Sequence, residues 1–281
     1  MIIDGKKLSE KICAQVRAET EIMQRRPCLA AVLVGEDPAS RIYVRNKESD
    51  CVKCGIDSRR YDLPDTVSEA ELLALIADLN RDNAVDGILV QLPLPEHISE
   101  RKVINAVAPE KDVDAFHPIN VGRMVTGEGI LMPCTPAGIM AMLREYGIST
   151  DGKHCVIVGR SNIVGRPMGM MLLNADATVT YCHRHTRDLA SMTRQADILI
   201  VAAGSPRLIT GDMVKDGAVV IDVAMNRDPE TGRFFGDVCF DEVEKKAGFI
   251  TPVPGGVGPM TRAQLMKNIL AAAKGRETKN G

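Results

Sequence analysis

Short apolar runs alternate along this chain with longer stretches in which apolar residues recur at helical spacing. Residues 29–34, 87–92, 155–158, 178–182, 198–202 and 219–223 are strand-sized, and the most apolar of them predict buried parallel strands. Residues 58–63 predict a half-exposed strand. Leu8, Ile12, Val16 and Ile22 recur close to one face and predict a helix over 8–23. Ser40 is expected to cap a helix reaching about Cys54, and Ser68 a helix to Asn80 with Glu71 at the capping-box position. A short helix is expected over 99–107. Thr135 as cap with Pro136 at the first position predicts a helix to Tyr146, and 168–174 another. Thr261 is expected to cap the last helix, 262–274, and the polar tail 275–281 to fray.

Strands alternating with helices in this way predict βαβ units, hence an α/β fold with mainly parallel sheet. At 281 residues the chain is long enough for two domains. Residues 111–120 are polar and irregular, and 126–133 hold Gly127, Gly129 and Pro133, so the crossing between domains is placed near here.

Composition narrows the classes. Hydrophobic residues at 45% and charged residues at 26% fit a globular protein, and a net charge of −2 gives no global field for nucleic acid or anionic membrane. No apolar run approaches a membrane span, and the N-terminus carries no secretory pattern, so a cytoplasmic setting or an organelle matrix is expected. Eight cysteines are scattered, several inside apolar runs, which predicts reduced thiols. Cys51 and Cys54 have redox or metal spacing without further ligands, and Asp112, Asp114 and His117 make a poor metal set, so no metal is expected.

The stretch with the clearest chemistry is Gly159-Arg160-Ser161-Asn162-Ile163-Val164-Gly165, between a predicted strand and a predicted helix. Such a turn aims backbone N–H groups and a positive helix end at a phosphate. It departs from the usual dinucleotide fingerprint: Ser161 stands at the second glycine, and Gly165 lies one residue beyond the third. The next strand ends Tyr181-Cys182-His183-Arg184-His185, with no carboxylate to accept from a ribose 2′-hydroxyl. A basic cluster there suits a 2′-phosphate, which favours NADP, with Arg184 and Arg160 as its candidate partners.

Upstream, Tyr43 and Lys47 lie one helical turn apart on one face, a ring beside a proton-handling ammonium. Gln91 follows a strand at its C-terminal end, the edge where open α/β sheets bind ligands. The Pro- and Gly-rich stretch 252–259 makes a rigid turn able to approach a ligand closely.

Together these pieces resemble the bifunctional methylenetetrahydrofolate dehydrogenase/cyclohydrolase family. The resemblance runs nearly end to end, through Tyr43-Val44-x-x-Lys47, Val90-Gln91-Leu92-Pro93-Leu94-Pro95 and Lys111-Asp112-Val113-Asp114-x-Phe116-His117. It continues through Pro133-Cys134-Thr135-Pro136-x-Gly138, the Gly159–Gly165 turn and Pro252-Val253-Pro254-Gly255-Gly256-Val257-Gly258-Pro259. It implies a folate-binding α/β domain over 1–119 plus 262–281, a Rossmann-like NADP domain over 120–261, and a cleft between them. It implies oxidation of 5,10-methylenetetrahydrofolate with NADP⁺, then hydrolysis of the methenyl product to 10-formyltetrahydrofolate. A dehydrogenase without the hydrolytic step, or an NADP-binding sensor on the same fold, are the alternatives.

The resemblance makes Lys47 the catalytic residue of the hydrolysis, with Tyr43 stacking on the folate, Gln91 positioning Lys47 and Asp114 holding the pterin. It adds Leu92, Pro254 and Gly255 as substrate contacts, and Gly159, Arg160, Ser161, Ile163, Gly165, Arg184 and Thr135 as cofactor contacts. It further implies a homodimer. Two positions depart from the family pattern, Ala115 and Ala224, where glycine is usual; the first would be strained if its φ is positive.

Overall fold

In the computed structural model, residues 1–228 and 230–280 are described. The chain divides into two compact units. The first comprises Glu10–Met132 with the chain from Arg262 onward, and the second comprises Met1–Ser9 with Pro133–Thr261. The division thus falls at 132/133, later than the expected crossing at 119/120. The reason is local: Asn120 Nδ2 donates to Pro109 O and to Asp112 Oδ2, which ties its segment to the first unit. The first nine residues join the second unit, where Ile2 bridges to Ile250 and Ile3 N donates to Ile250 O at 2.8 Å.

The chain opens on α1 (Gly5–Glu21), then alternates β1 (Cys28–Val34), α2 (Pro38–Lys53), β2 (Asp57–Leu63), α3 (Glu69–Arg81) and β3 (Gly87–Val90). Helices α4 (Glu100–Ala106) and α5 (Pro118–Val125) follow. The three strands form a parallel sheet in the order β2-β1-β3. Central β1 is buried along its whole length, and Val32 packs in one cluster with Leu72, Ile76, Ile88 and Val103. Each such side chain contributes about 1.5–3 kcal/mol by leaving water. Edge strand β2 carries Asp57, Arg59, Arg60 and Asp62 outward, which blunts an otherwise open edge.

In the second unit α6 (Cys134–Glu145) precedes β4 (His154–Val158), α7 (Gly165–Leu173), β5 (Thr178–Cys182), α8 (Leu189–Thr193), β6 (Ile198–Val201) and β7 (Val219–Asp222). A small ribbon of β8 (Asn226–Arg227) and β9 (Phe234–Phe235), then α9 (Phe240–Val243) and β10 (Phe249–Ile250), complete it. The sheet order is β10-β7-β6-β4-β5, all parallel. The chain therefore leaves β4 to one side for β5 and returns to the other side for β6, which makes β4/β6 the switch point. The final helix α10 runs Val257–Asn280.

Several expected boundaries are corrected. Asp37, not Ser40, caps α2: its carboxylate accepts from Ser40 N at 2.7 Å, with Pro38 at the first turn. Pro133 occupies the cap position of α6, and Thr135 lies inside the first turn, its hydroxyl 3.0 Å from that of Thr261. Thr261 is itself inside α10, donating to Val257 O. Helix α5 arises in a stretch that reads as irregular, because His117 Nδ1 accepts from Ile119 N and Pro118 presets the first turn. The tail is helical to Asn280, and Gly281 lies outside the described residues. Ser68 and Glu71 form the expected capping box.

Candidate active site

In the first unit the side chains meet at the C-terminal edge of the sheet. Gln91 continues β3, its N–H donating to Val32 O at 2.9 Å. Its side-chain amide is held at both ends: Nε2 donates to Leu92 O at 2.7 Å, and Oε1 accepts from Lys47 Nζ at 3.1 Å. Lys47 comes from α2, which starts just past β1 after the turn at Gly35 (φ +81°). Tyr43 sits one turn earlier on α2 and is 40% exposed as a residue. Leu92 is half-buried beside Gln91.

Asp114 stands on the turn between α4 and α5. Burial pushes its carboxyl above the usual carboxylate range; the Lys47 ammonium opposes this and the Asp112 carboxylate adds to it. Lys47, Gln91 and Asp114 therefore share one electrostatic neighbourhood. The turn itself is strained, for Ala115 has φ +58°. Asp112 anchors it, accepting from His117 N at 2.8 Å and Asn120 Nδ2 at 2.9 Å. Lys111, buried beneath, caps the end of α3 by donating to Leu79 O and Asp82 O, and desolvation holds its ammonium down at about 8.

In the second unit the candidate cofactor site is made by backbone. Gly159 ends β4 with φ +126°, and a Cβ there would lie 2.1 Å from Ala202 O. A Cβ on Gly165 would lie 2.3 Å from Gly159 O, so the turn closes only with glycine at both places. Ser161 takes a different part from the glycine it replaces. Its hydroxyl accepts from Val164 N at 3.2 Å and Gly165 N at 3.3 Å, so these amides at the start of α7 are already capped.

A cavity of ≈ 640 Å³ opens at the switch point, lined by Gly159, Arg160, Ser161, Arg184, Thr186 and Ser205 among others. Of the expected cofactor contacts, Gly159, Arg160, Ser161 and Arg184 line it. Ile163 is 44% exposed outside that lining, Gly165 shapes the turn from behind, and Thr135 pairs with Thr261. Ala203 and Ser205 also line the cavity without having been expected. They follow β6 at its C-terminal end, so the switch-point rule was the signal that reaches them. Asp237, fully buried, pins that loop by accepting from Ala203 N and Gly204 N. Asp222 accepts from Val238 N and Asp237 N, and burial raises its carboxyl to about 6.

Pro254 and Gly255 lie on the loop before α10, with Pro254 exposed and Gly255 at φ +111°. The Cys51/Cys54 pair is buried and free, and among the described residues no His/Cys/Asp/Glu group is arranged to hold a metal.

Comparison with known proteins decides what this pairing of sites belongs to. The family model for the tetrahydrofolate dehydrogenase/cyclohydrolase catalytic domain matches residues 3–114, and that for its NAD(P)-binding domain matches 133–277. The chain belongs to the tetrahydrofolate dehydrogenase/cyclohydrolase family. The bifunctional protein FolD of Moorella thermoacetica is 57% identical over 276 residues, covering 97% of this chain and 98% of its own. The crystal structure of FolD from Campylobacter jejuni superposes with a TM-score of 0.96 at 51% identity, covering 98% of this chain and 99% of that one. The Trypanosoma brucei enzyme, crystallised with NADP cofactor and an inhibitor, gives 0.95 at 39% identity, covering 99% and 98%.

The two positions where glycine was expected, Ala115 and Ala224, differ in backbone conformation. Ala115 occupies a left-handed conformation, which costs an alanine about 1–2 kcal/mol relative to right-handed backbone. Ala224, the other position where the resemblance led us to expect glycine, is not among the residues of positive φ.

Proposed function

We propose that this chain oxidises 5,10-methylenetetrahydrofolate to 5,10-methenyltetrahydrofolate with NADP⁺ and hydrolyses that product to 10-formyltetrahydrofolate. The observation that carries the reading is the Lys47–Gln91 pair, with Asp114 in the same field, in a chain whose second unit holds a glycine-walled cavity lined by Arg160 and Arg184.

The cavity fits NADP. Gly159 brings backbone close where a side chain would intrude, and Arg160 with Arg184 supplies positive charge for a 2′-phosphate. When bound, NADP⁺ supplies the hydride acceptor. The first step then needs no acid or base from the protein, only a folate held still.

The second step needs more. Water adds to the methenyl carbon and loses one proton; the bond from that carbon to N5 then breaks, with the remaining hydroxyl proton leaving oxygen and a proton passing to N5, so that the formyl group stays on N10. The carbon is already electrophilic, so the protein's share is to move protons and to orient. Lys47 is the catalytic residue we assign to that proton transfer. Gln91 positions it, fixed in turn by Leu92 O. Tyr43 offers its ring to the folate, Leu92 adds an apolar contact, and Asp114 accepts from the amino and ring N–H groups of the pterin. Pro254 and Gly255 we propose as further ligand contacts from their own loop. The reading also makes the chain a cytoplasmic homodimer that acts on small folates and not on nucleic acid or membrane.

A coupled spectrophotometric assay with 5,10-methylenetetrahydrofolate, run in parallel with NADP⁺ and NAD⁺, tests this. Reduction with NADP⁺, together with decay of added methenyltetrahydrofolate, is the expected result. Turnover of neither folate would overturn the reading.

A further inference from the structure

The turn that carries Asp114 is held from an unexpected direction. Asn268, on α10 and 2% exposed, sends both hydrogens of its amide to carbonyls: Nδ2 donates to Val113 O at 2.8 Å and to Met132 O at 2.7 Å. Its Oδ1 accepts from Gln264 Nε2, one turn earlier on the same helix, at 3.1 Å. Carbonyls only accept, so the orientation of the amide is determined by its partners.

Fixing Val113 O fixes the peptide plane whose nitrogen belongs to Asp114. The neighbouring side chain is fixed as well. Val113 is fully buried, and a Cβ on Gly87 would lie 2.5 Å from its Cγ1 and 3.5 Å from Ile269 Cγ1. Before Val113, Ile88 N donates to Lys111 O at 2.7 Å, and Asp112 ties down the chain that follows Ala115. Both flanks of the turn are thus secured on the sheet and on α5, and Asn268 secures its centre. A left-handed alanine persists only where its surroundings over-determine it. A polar side chain in the buried face of α10, among Met266, Ile269 and Leu270, is costly to place there without such a task.

We propose that Asn268 is a positioning residue for the folate, holding the Val113–Asp114 peptide so that the Asp114 carboxylate meets the pterin. This rests on the assignment of Asp114 to the pterin given above. Asn268 touches no substrate in this account; it acts through Asp114.

The experiment compares the parent chain with Asn268→Leu, which keeps the volume and loses both donors, and Asn268→Ser, which keeps one donor and leaves room for water. In both variants KM for 5,10-methylenetetrahydrofolate rises, by about 10- to 100-fold in Asn268→Leu and less in Asn268→Ser, while KM for NADP⁺ stays unchanged. KM for methenyltetrahydrofolate rises in parallel. A loss of folded protein alone would lower the apparent kcat of both reactions and leave every KM in place. Should Asn268→Leu not fold, Asn268→Ser carries the test. An unchanged folate KM in a folded variant, or an equal rise for folate and NADP⁺, overturns the inference. If the parent turns over neither folate, the proposed function fails and the inference with it.

Discussion

The folate-side and cofactor-side candidate sites are built by opposite means. In the first unit the proposed chemistry falls to side chains gathered from separate elements: Lys47 from α2, Gln91 from the end of β3, Asp114 from a strained turn. In the second unit the site is made mostly by where side chains are absent. Gly159 and Gly165 let backbone pass where a Cβ would lie within 2.3 Å of a carbonyl oxygen, and Arg160, Ser161, His183, Arg184, Thr186 and Ser205 add functional groups around that frame. A site made of side chains can lose one function and keep its shape. A site made of backbone loses shape first. The two units should therefore fail differently when altered.

The largest contrast is expected from Gly159→Ala. Its Cβ meets Ala202 O, a backbone atom that cannot swing aside, at a φ that alanine rarely adopts. A loss of about 3 kcal/mol or more in stability is expected, with NADP⁺ binding lost and hydrolysis of added methenyltetrahydrofolate retained below the melting temperature. Thermal melts and an NADP⁺ titration check it; unchanged NADP⁺ affinity would break the comparison.

Arg184→Ala removes a functional group and leaves the backbone alone. Hydrogen bonds to charged groups are worth about 1.5–3 kcal/mol, so preference for NADP⁺ over NAD⁺ in kcat/KM should fall about 10- to 100-fold. A loss confined to both cofactors equally would move the 2′-phosphate to Arg160.

Ala115→Gly sharpens the comparison from the folate side. Relief of the left-handed strain outweighs the added freedom of the unfolded chain, so a gain of up to about 1 kcal/mol is expected, read from denaturant unfolding. A loss of stability would mean that Ala115 contributes packing that its φ conceals, since it is fully buried.

The same contrast explains what the sequence discloses. The strands, the capping box at Ser68 and the glycine turn are local patterns, and all of them stand in the structure. Tyr43 and Lys47 on one helix face are a local pattern too, whereas the Lys47–Gln91 hydrogen bond became visible only through the resemblance. The missed features depend on choices between near neighbours or on distant partners. Asp37 wins the cap of α2 because Pro38 fits the first turn, and Ser40 becomes the donor. Thr135 and Thr261 have the composition of caps, yet each sits inside a helix and faces the other. Helix α5 hides because its first residues read as loop chemistry. Asn268 is 155 positions from Val113, and no spacing rule connects them.

The claim at the centre of this account is that Lys47 serves the hydrolysis and not the hydride transfer. It is tested most directly by Lys47→Met, purified, shown to be folded, and assayed for both reactions in the same preparation. Cyclohydrolase activity should fall by about 10²- to 10⁴-fold, the usual worth of a positioned proton-transfer group, while measurable dehydrogenase activity survives. Equal loss of both activities in the folded variant would contradict it.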